Sequence, residues 1–192
     1  MAWTPGASEN LFLPEITPEE FGEILEALQF AAHKHRDQRR KDPEASPYIN
    51  HPIALANILW REAAVHEPRV IGAALLHDTI EDTDTTLEEL RQRFGAAVAG
   101  IVAEVTDDKS LDKAARKRMQ VEHAAHLSRE AKLVKLADKI ANLRDVASSP
   151  PATWPLERQR EYFDWAKAVI DALRGAHPPL ESLFDEAYAR RP

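Results

Sequence analysis

The sequence predicts an all-α fold, a helical bundle in a single domain, on three observations. Glycine is scarce (6 of 192 residues), and the 13 prolines fall between apolar segments of helical period rather than inside them. No segment shows the alternation and β-branched enrichment that are typical of strands. A chain of 192 residues also suits one domain, since domains commonly hold about 100–200 residues.

Capping signals predict where the first helices begin. Thr17-Pro18-Glu19-Glu20 is a capping box that opens a helix running to the basic residues around Arg40. A second helix is expected to open at Pro52, and a third follows Pro68. The apolar positions of the first helix recur at helical spacing and are Phe21, Leu25, Leu28 and Ala32.

The second half of the chain shows similar signals. Thr86-Leu87-Glu88-Glu89 is another capping box, and Gly95 ends the short helix that it opens. Further helices are expected at about 96–105, 112–126, 129–147, 156–174 and 179–190. We expect one domain over residues 1–192, with a core at about 18–174, a short N-terminal tail and a C-terminal helix.

Composition excludes several classes of function. Cysteine is absent, so disulfide scaffolds, cysteine-ligated zinc, iron–sulfur clusters and thiol nucleophiles are ruled out. The chain has no signal-peptide pattern and no run of 18 apolar residues, so we expect no membrane contact and a cytoplasmic protein. A net charge of −7 argues against a nucleic-acid partner.

Two histidines and two aspartates form a candidate metal set. His51 stands where the second helix opens, and the pair His77-Asp78 ends an apolar run. Asp138 lies in another apolar segment, one turn beyond Val134, where an unpaired carboxylate is costly and a cation offsets the cost. The alternative is a surface aspartate paired with Lys135 or Lys139. Imidazole and carboxylate without thiolate suit manganese, iron or zinc.

Further polar residues surround this set. Glu81 and Asp82 lie one turn beyond His77-Asp78, where a base that activates water belongs; the alternative is a solvated acidic turn. Asn142 is four residues after Asp138 and should share its helix face.

Two basic groups also stand out. Residues 33–41 hold five cations against one aspartate, which suits an anionic substrate or, alternatively, a solvated helix end. Within this stretch, His33 and His35 are spaced to face different sides of a helix and are expected to pack or to touch phosphate. A second group either receives a phosphate arm or coats a helix, and comprises Lys113, Arg116, Lys117 and Arg118.

These motifs resemble the HD-domain phosphohydrolases, whose H…HD…D pattern matches His51, His77-Asp78 and Asp138. The flanking segments are similar to the hydrolase domain of the RelA/SpoT family, above all to its short single-domain members, the metazoan SpoT homologue and the bacterial small alarmone hydrolases. The resemblance runs from about Phe30 to Ala166. The matching segments are Arg39-Arg40-Lys41, Tyr48–Pro52, Leu76–Thr83, Val105–Lys109, Lys135–Asp138, Asn142–Arg144 and Glu161–Phe163.

The resemblance implies Mn²⁺-dependent hydrolysis of the 3′-pyrophosphate of guanosine tetra- or pentaphosphate (ppGpp or pppGpp). It implies an HD-type fold without a synthetase domain, Glu81 and Asp82 as catalytic carboxylates, and a small-molecule nucleotide as the substrate; it does not identify protein partners. Two alternatives stay open: a phosphatase acting on another nucleotide such as NADPH, and a noncatalytic alarmone-binding module. The resemblance and the two basic groups together indicate five residues that contact the substrate: Arg40, Lys41, Lys113, Asn142 and Tyr162.

Overall fold

Helices make up nearly all the regular structure in the computed structural model, which describes residues 16–192. The β-structure in this part of the chain is an isolated bridge between Arg39 and Pro47, so the all-α prediction is confirmed. The expected N-terminal tail lies mostly outside the described residues. The helices are Pro18–Lys34 (α1), Asn50–Asn57 (α2), Pro68–Leu76 (α3), Thr79–Asp82 (α4), Leu87–Val105 (α5), Lys113–Ala124 (α6), Arg129–Ser148 (α7), Leu156–Asp171 (α8) and Pro178–Tyr188 (α9).

The start of α1 is as predicted, but its end and its buried face are not. Thr17 and Glu20 form the reciprocal hydrogen bonds of a capping box. The helix ends at Lys34 because the basic run forms a loop, in which the Arg40 amide donates to the Ser46 carbonyl at 2.8 Å. Half of Phe21 is exposed, at 52%, as is 48% of Leu25. The face that packs on α3 is instead built from Ala27, Phe30 and Ala31.

Two buried helices form the centre of the fold. Every residue of α3 from Val70 to Leu76 is buried. Helix α7 packs against α2, α3, α5, α8 and α9, which buries most of its surface. Val134, Ala137 and Ala141 are buried as the sequence predicts. The C-terminal end of α3 and the middle of α7 therefore carry side chains into the interior.

The segment around Gly95 breaks α5 in two. Gly95 has φ 81° and ψ 163°, a conformation that belongs almost only to glycine, so the predicted helix end occurs and a second helical stretch follows at once. Thr86 caps the first stretch by accepting from the Glu89 amide at 3.1 Å. The Glu89 carboxylate does not complete the capping box, because it accepts from Lys34 Nζ at 3.2 Å.

The later helices lie close to their predicted positions. Helix α6 begins after an Asp112 cap, α7 after a Ser128 cap, and α9 after a His177 cap. Helix α2 continues into a π-helical turn over Ile58–Glu62, which the sequence pattern does not signal. Within residues 16–192 no helix combines the length and the apolar character that crossing a bilayer requires.

Candidate functional site

Three distant stretches of the chain bring their side chains together. His51 lies in the first turn of α2, His77 directly follows α3, and Asp138 lies in the middle of α7. Each offers a ligand atom within 4.8 Å of the other two. His51 Nε2 is 3.2 Å from Asp138 Oδ1, and the two imidazole rings have their centroids 5.3 Å apart. The convergence that the sequence predicts is therefore present for these three residues.

Asp78 joins this group from one side. Its Oδ2 atom is 2.9 Å from His77 Nε2 and also accepts a hydrogen bond from the Tyr48 hydroxyl. It is not one of the three residues whose ligand atoms are mutually within 4.8 Å. All four predicted ligands nevertheless line the same cavity, whose volume is about 200 Å³.

The hydrogen bonds of His77 determine which nitrogen faces the cavity. His77 Nδ1 lies 2.8 Å from the Ala74 carbonyl and must donate to it, since a carbonyl oxygen only accepts. His77 Nε2 is buried and has no aligned hydrogen-bond partner, although Asp78 Oδ2 is near. A buried imidazole nitrogen directed at two carboxylates fits a divalent cation.

Burial and neighbouring charges perturb the titration of the group. Burial lowers the pKa of His51. Burial opposes the charged form of His77 too, but the Asp78 carboxylate outweighs it and raises the pKa of His77 to about 9. Burial disfavours the Asp138 carboxylate, yet Lys139 and the bond to His51 hold its pKa well below the usual range. Asp138 therefore remains anionic inside the protein.

Two buried lysines accompany Asp138. Lys139 Nζ is 3.0 Å from Asp138 Oδ2 and 4.4 Å from the ring centroid of Trp165. Lys135 Nζ donates to the Val105 carbonyl at 3.0 Å. The alternative of a surface ion pair is wrong, because the Asp138 side chain is only 14% exposed and that of Lys139 4%.

Asn142 shares the helix face of Asp138, as its spacing predicts. Asn142 Nδ2 donates to Asp138 Oδ1 at 2.6 Å, and Asn142 Oδ1 accepts from Arg40 Nη2 at 3.2 Å. Arg40 also forms an ion pair with Asp145 at 2.6 Å. Its guanidinium carbon is 5.8 Å from the centroid of the Tyr48 ring, so Arg40 stands at the mouth of the cavity.

Glu81 and Asp82 lie in the short helix α4 and line the central cavity. Glu81 Oε2 accepts from the Asp107 amide at 3.4 Å, and burial followed by the Asp107 charge raises the pKa of Glu81. Asp82 Oδ1 accepts from Lys109 Nζ at 2.5 Å. Both carboxylates are partly buried, which differs from the alternative of a fully solvated turn.

Two larger clefts adjoin the central cavity. One has a volume of about 630 Å³ and is lined by Arg40, Lys41, Asn142 and Tyr162 among others. The second has a volume of about 500 Å³ and is lined by Lys113, with Lys41 and Tyr162 again at its boundary. Lys41 and Lys113 are exposed, and Tyr162 is half-buried.

Several residues of the site were not singled out by the sequence. Trp154 and Trp165 both contact Tyr162 with tilted rings, at centroid distances of 5.5 and 5.4 Å. The spacing of Tyr162 and Trp165 on one helix was an available signal. Gln38 gave none, because its contact with Asp82 depends on packing between distant segments.

This fold and site define a helical hydrolase with a candidate metal centre. A model of the HD domain matches residues 27–164, and the chain belongs to that family. HD-domain hydrolases are metal-dependent, in agreement with the candidate site at His51, His77 and Asp138.

Individual relatives narrow the comparison. A Danio rerio protein named guanosine-3′,5′-bis(diphosphate) 3′-pyrophosphohydrolase MESH1 is 56% identical over 168 residues, which are 88% of this chain and 93% of the relative. The Homo sapiens protein of the same name is 55% identical over 172 residues, covering 90% and 96% of the two chains. The chain is an enzyme of the RelA/SpoT hydrolase type.

Two solved structures are also similar to this chain. One, described as a metazoan ortholog of SpoT that hydrolyzes ppGpp, superposes with a TM-score of 0.86 at 52% identity, over 88% of this chain and 95% of that one. The structure of lmo0812 from Listeria monocytogenes EGD-e superposes with a TM-score of 0.60 at 34% identity, over 73% and 94%.

Proposed function

We propose that this protein hydrolyses the 3′-pyrophosphate of guanosine tetra- and pentaphosphate, with Mn²⁺ as its cofactor. The products are pyrophosphate and GDP or GTP. The observation that carries the proposal is the central cavity, where His51, His77, Asp78 and Asp138 lie beside the carboxylates of α4. The names of the relatives at 55–56% identity, which specify guanosine-3′,5′-bis(diphosphate), support the tetraphosphate as a substrate.

The donor set is compatible with manganese, which the family resemblance favours over iron and zinc. Two imidazoles and two carboxylates without a thiolate suit Mn²⁺, and His51, His77, Asp78 and Asp138 would hold it. A divalent ion bound there supplies charge that polarises a phosphate oxygen and lowers the pKa of water. Tyr48 and Asn142 already hydrogen-bond Asp78 and Asp138, which restricts how the carboxylates can turn.

Glu81 and Asp82 are the groups that we propose to orient the attacking water and accept its proton. Both line the cavity from the same short helix. A raised pKa makes the Glu81 carboxylate a stronger base than a solvated one. Lys109 and the Asp107 amide occupy one oxygen of each carboxylate, so the remaining oxygens are available.

The cationic side chains of the two clefts are proposed to bind the nucleotide. Arg40 presents a planar guanidinium suited to a base or a phosphate, and Lys41 and Lys113 are exposed point charges at the two clefts. Tyr162 lines both clefts and offers an aromatic face. Asn142 links Arg40 to Asp138, so it connects nucleotide binding to the proposed metal ligands.

We also propose that residues 1–192 act as one hydrolase domain in the cytoplasm. The HD-domain match over residues 27–164 and the packing of α9 against α7 support a single unit. Its lack of cysteine suits a reducing compartment.

The test is a turnover assay on metal-stripped protein, reloaded in turn with Mn²⁺, Mg²⁺ and Zn²⁺. Substrates are ppGpp, pppGpp, NADPH and GDP. We expect pyrophosphate release from ppGpp and pppGpp, fastest with Mn²⁺. Faster phosphate release from NADPH would favour the broader nucleotide phosphatase. Binding of ppGpp without pyrophosphate release would favour a noncatalytic module.

A further inference from the structure

The loop between α1 and α2 contacts both ends of the segment that carries the proposed ligands and bases. At one end, the Tyr48 hydroxyl donates to Asp78 Oδ2. At the other end, Gln38 Nε2 donates to the carbonyl oxygen of Asp82 at 3.0 Å. The two loop residues are themselves joined, because the Tyr48 amide donates to the Gln38 carbonyl at 3.2 Å.

A buried histidine sets the orientation of this pair. His35 is only 2% exposed, and its ring lies 4.8 Å from the Tyr48 ring, centroid to centroid. His35 Nδ1 contacts Gln38 Oε1 and must donate, since an amide oxygen only accepts. That bond leaves the Gln38 amide nitrogen directed at Asp82. His35 therefore acts on this pair through its Nδ1 bond to Gln38 and its ring contact with Tyr48.

We propose that Tyr48 and Gln38 are positioning residues, aligned by His35, that hold Asp78 and Asp82 in place for metal binding and catalysis. The Tyr48 hydroxyl donates to Asp78 Oδ2 and so fixes the plane of the carboxylate that a cation would meet. Gln38 fixes the backbone of Asp82, whose side chain then lies between Lys109 and the cavity. This inference rests on the proposed metal site and reaction.

The chemistry predicts different effects for the two residues. Tyr48 acts on a proposed ligand, so removing its hydroxyl should weaken metal binding, as loss of outer hydrogen bonds to ligands commonly does by about 10–100-fold. Gln38 acts on a proposed base, so its loss should slow turnover and leave metal affinity unchanged. Arg40 lies over the Tyr48 ring, 5.8 Å from its centroid, and phenylalanine keeps that ring, so the KM of Tyr48→Phe should stay near the wild-type value.

The first experiment titrates Mn²⁺ into metal-stripped Tyr48→Phe by calorimetry. We expect the Kd to rise at least about tenfold, with thermal unfolding of the metal-free protein close to that of the wild type. The matched control is Tyr188→Phe, whose hydroxyl donates to Asp164 at 3.1 Å on the surface. A Kd within twofold of the wild-type value would overturn the role of Tyr48.

The second experiment measures kcat, KM and the Mn²⁺ Kd of Gln38→Met, which keeps side-chain length and removes both polar atoms. We expect kcat to fall about tenfold with the other two constants within twofold. Gln92→Met, at an exposed glutamine that donates to Glu88, is the control. An unchanged kcat, or a raised KM, contradicts the role of Gln38. The Gln38→Met experiment also tests the proposal independently if Tyr48→Phe does not fold.

The two proposals fail in different ways. If wild-type protein neither binds Mn²⁺ in this titration nor releases pyrophosphate, the proposed function is wrong. If the wild type does both and the two variants match it, only the positioning roles are wrong.

Discussion

Lys139 changes the charge that a bound cation meets. Its ammonium group lies 3.0 Å from Asp138, and the Asp138 charge holds the pKa of Lys139 above its usual value although burial opposes this. One of the two carboxylate charges among the proposed ligands is therefore already offset. Removing one partner of such a buried pair is costly, since it leaves an uncompensated charge. Lys139 thus stabilises Asp138 in its anionic form without occupying Oδ1.

Asp82→Asn should separate metal binding from chemistry. The substitution keeps the size of the side chain and removes a proton acceptor, so we expect kcat to fall by about 10²–10⁴-fold. The Mn²⁺ Kd, measured by calorimetry, should stay within threefold because Asp82 is not among the proposed ligands. Asp84→Asn, at an exposed aspartate that pairs with Lys34, serves as control. A rate near that of the wild type would exclude Asp82 as the base.

The residues that sequence alone could identify are those held in short motifs. His51, His77 and Asp138 were recognisable because ligand-type side chains interrupt apolar runs. Gln38 was not, since it owes its role to Asp82, which lies far away in the chain. Lys139 was visible only as a possible partner of a surface aspartate, because the burial of the pair depends on packing between distant segments. Tyr48 was visible only as part of a motif, because nothing in its local sequence indicates a bond to Asp78.

At the scale of single elements, two glycines should respond oppositely to alanine. Gly95→Ala places a Cβ on a backbone at φ 81°, which costs about 1–3 kcal/mol, although no atom lies within 4 Å of that Cβ. Gly22→Ala, inside α1 and equally uncrowded, should stabilise by about 0.5–1 kcal/mol. Urea unfolding measures both changes. Destabilisation by both would contradict the assignment of these effects to backbone conformation.

His177 should make the stability of α9 depend on pH. Its Nδ1 accepts from the Leu180 amide at 3.3 Å, and burial followed by Arg129 lowers its pKa from 6.5. At pH values near these pKa values the unfolded chain then binds more protons than the folded one. The stabilisation is therefore present above pH 6.5 and is lost as the pH falls from 6.5 through the lower pKa of the folded state. The cap contributes about 1 kcal/mol.

The measurement compares wild type with His177→Asn, which can still cap but does not titrate. Free energies of unfolding from urea titrations should converge or cross in favour of the variant as the pH falls from 7 to 5. Exposed His126→Asn is the control. A constant difference across this range would contradict the role of His177.

Element positions followed from the sequence more closely than the faces that the helices bury. Capping residues such as Thr17 and Thr86 act locally, so the predicted starts of α1 and α5 were correct. The buried face of α1 was not, because small residues at Ala27 and Ala31 allow close packing on α3 while Phe21 stays exposed. The end of α1 depended on backbone pairing in the following loop.

For the whole molecule, Mn²⁺ should stabilise the fold by mass action. A ligand at about 100 times its Kd adds about 2.7 kcal/mol, which raises the thermal midpoint of a protein of this size by roughly 5–10 °C. Calorimetric scans with Mn²⁺ and after chelation measure the shift. His51→Ala should lose it, whereas Asp82→Asn should keep it. An equal shift in His51→Ala would place the ion elsewhere.

The packing of α7 also bears on how an ion enters and leaves. Five helices surround the one that bears Asp138, so its amide hydrogens should exchange with solvent only when the whole chain unfolds. Opening of that helix therefore offers no quick path for release. A cation would come and go through the open clefts, and its residence time would be set by the side chains at their mouths rather than by the stability of the bundle.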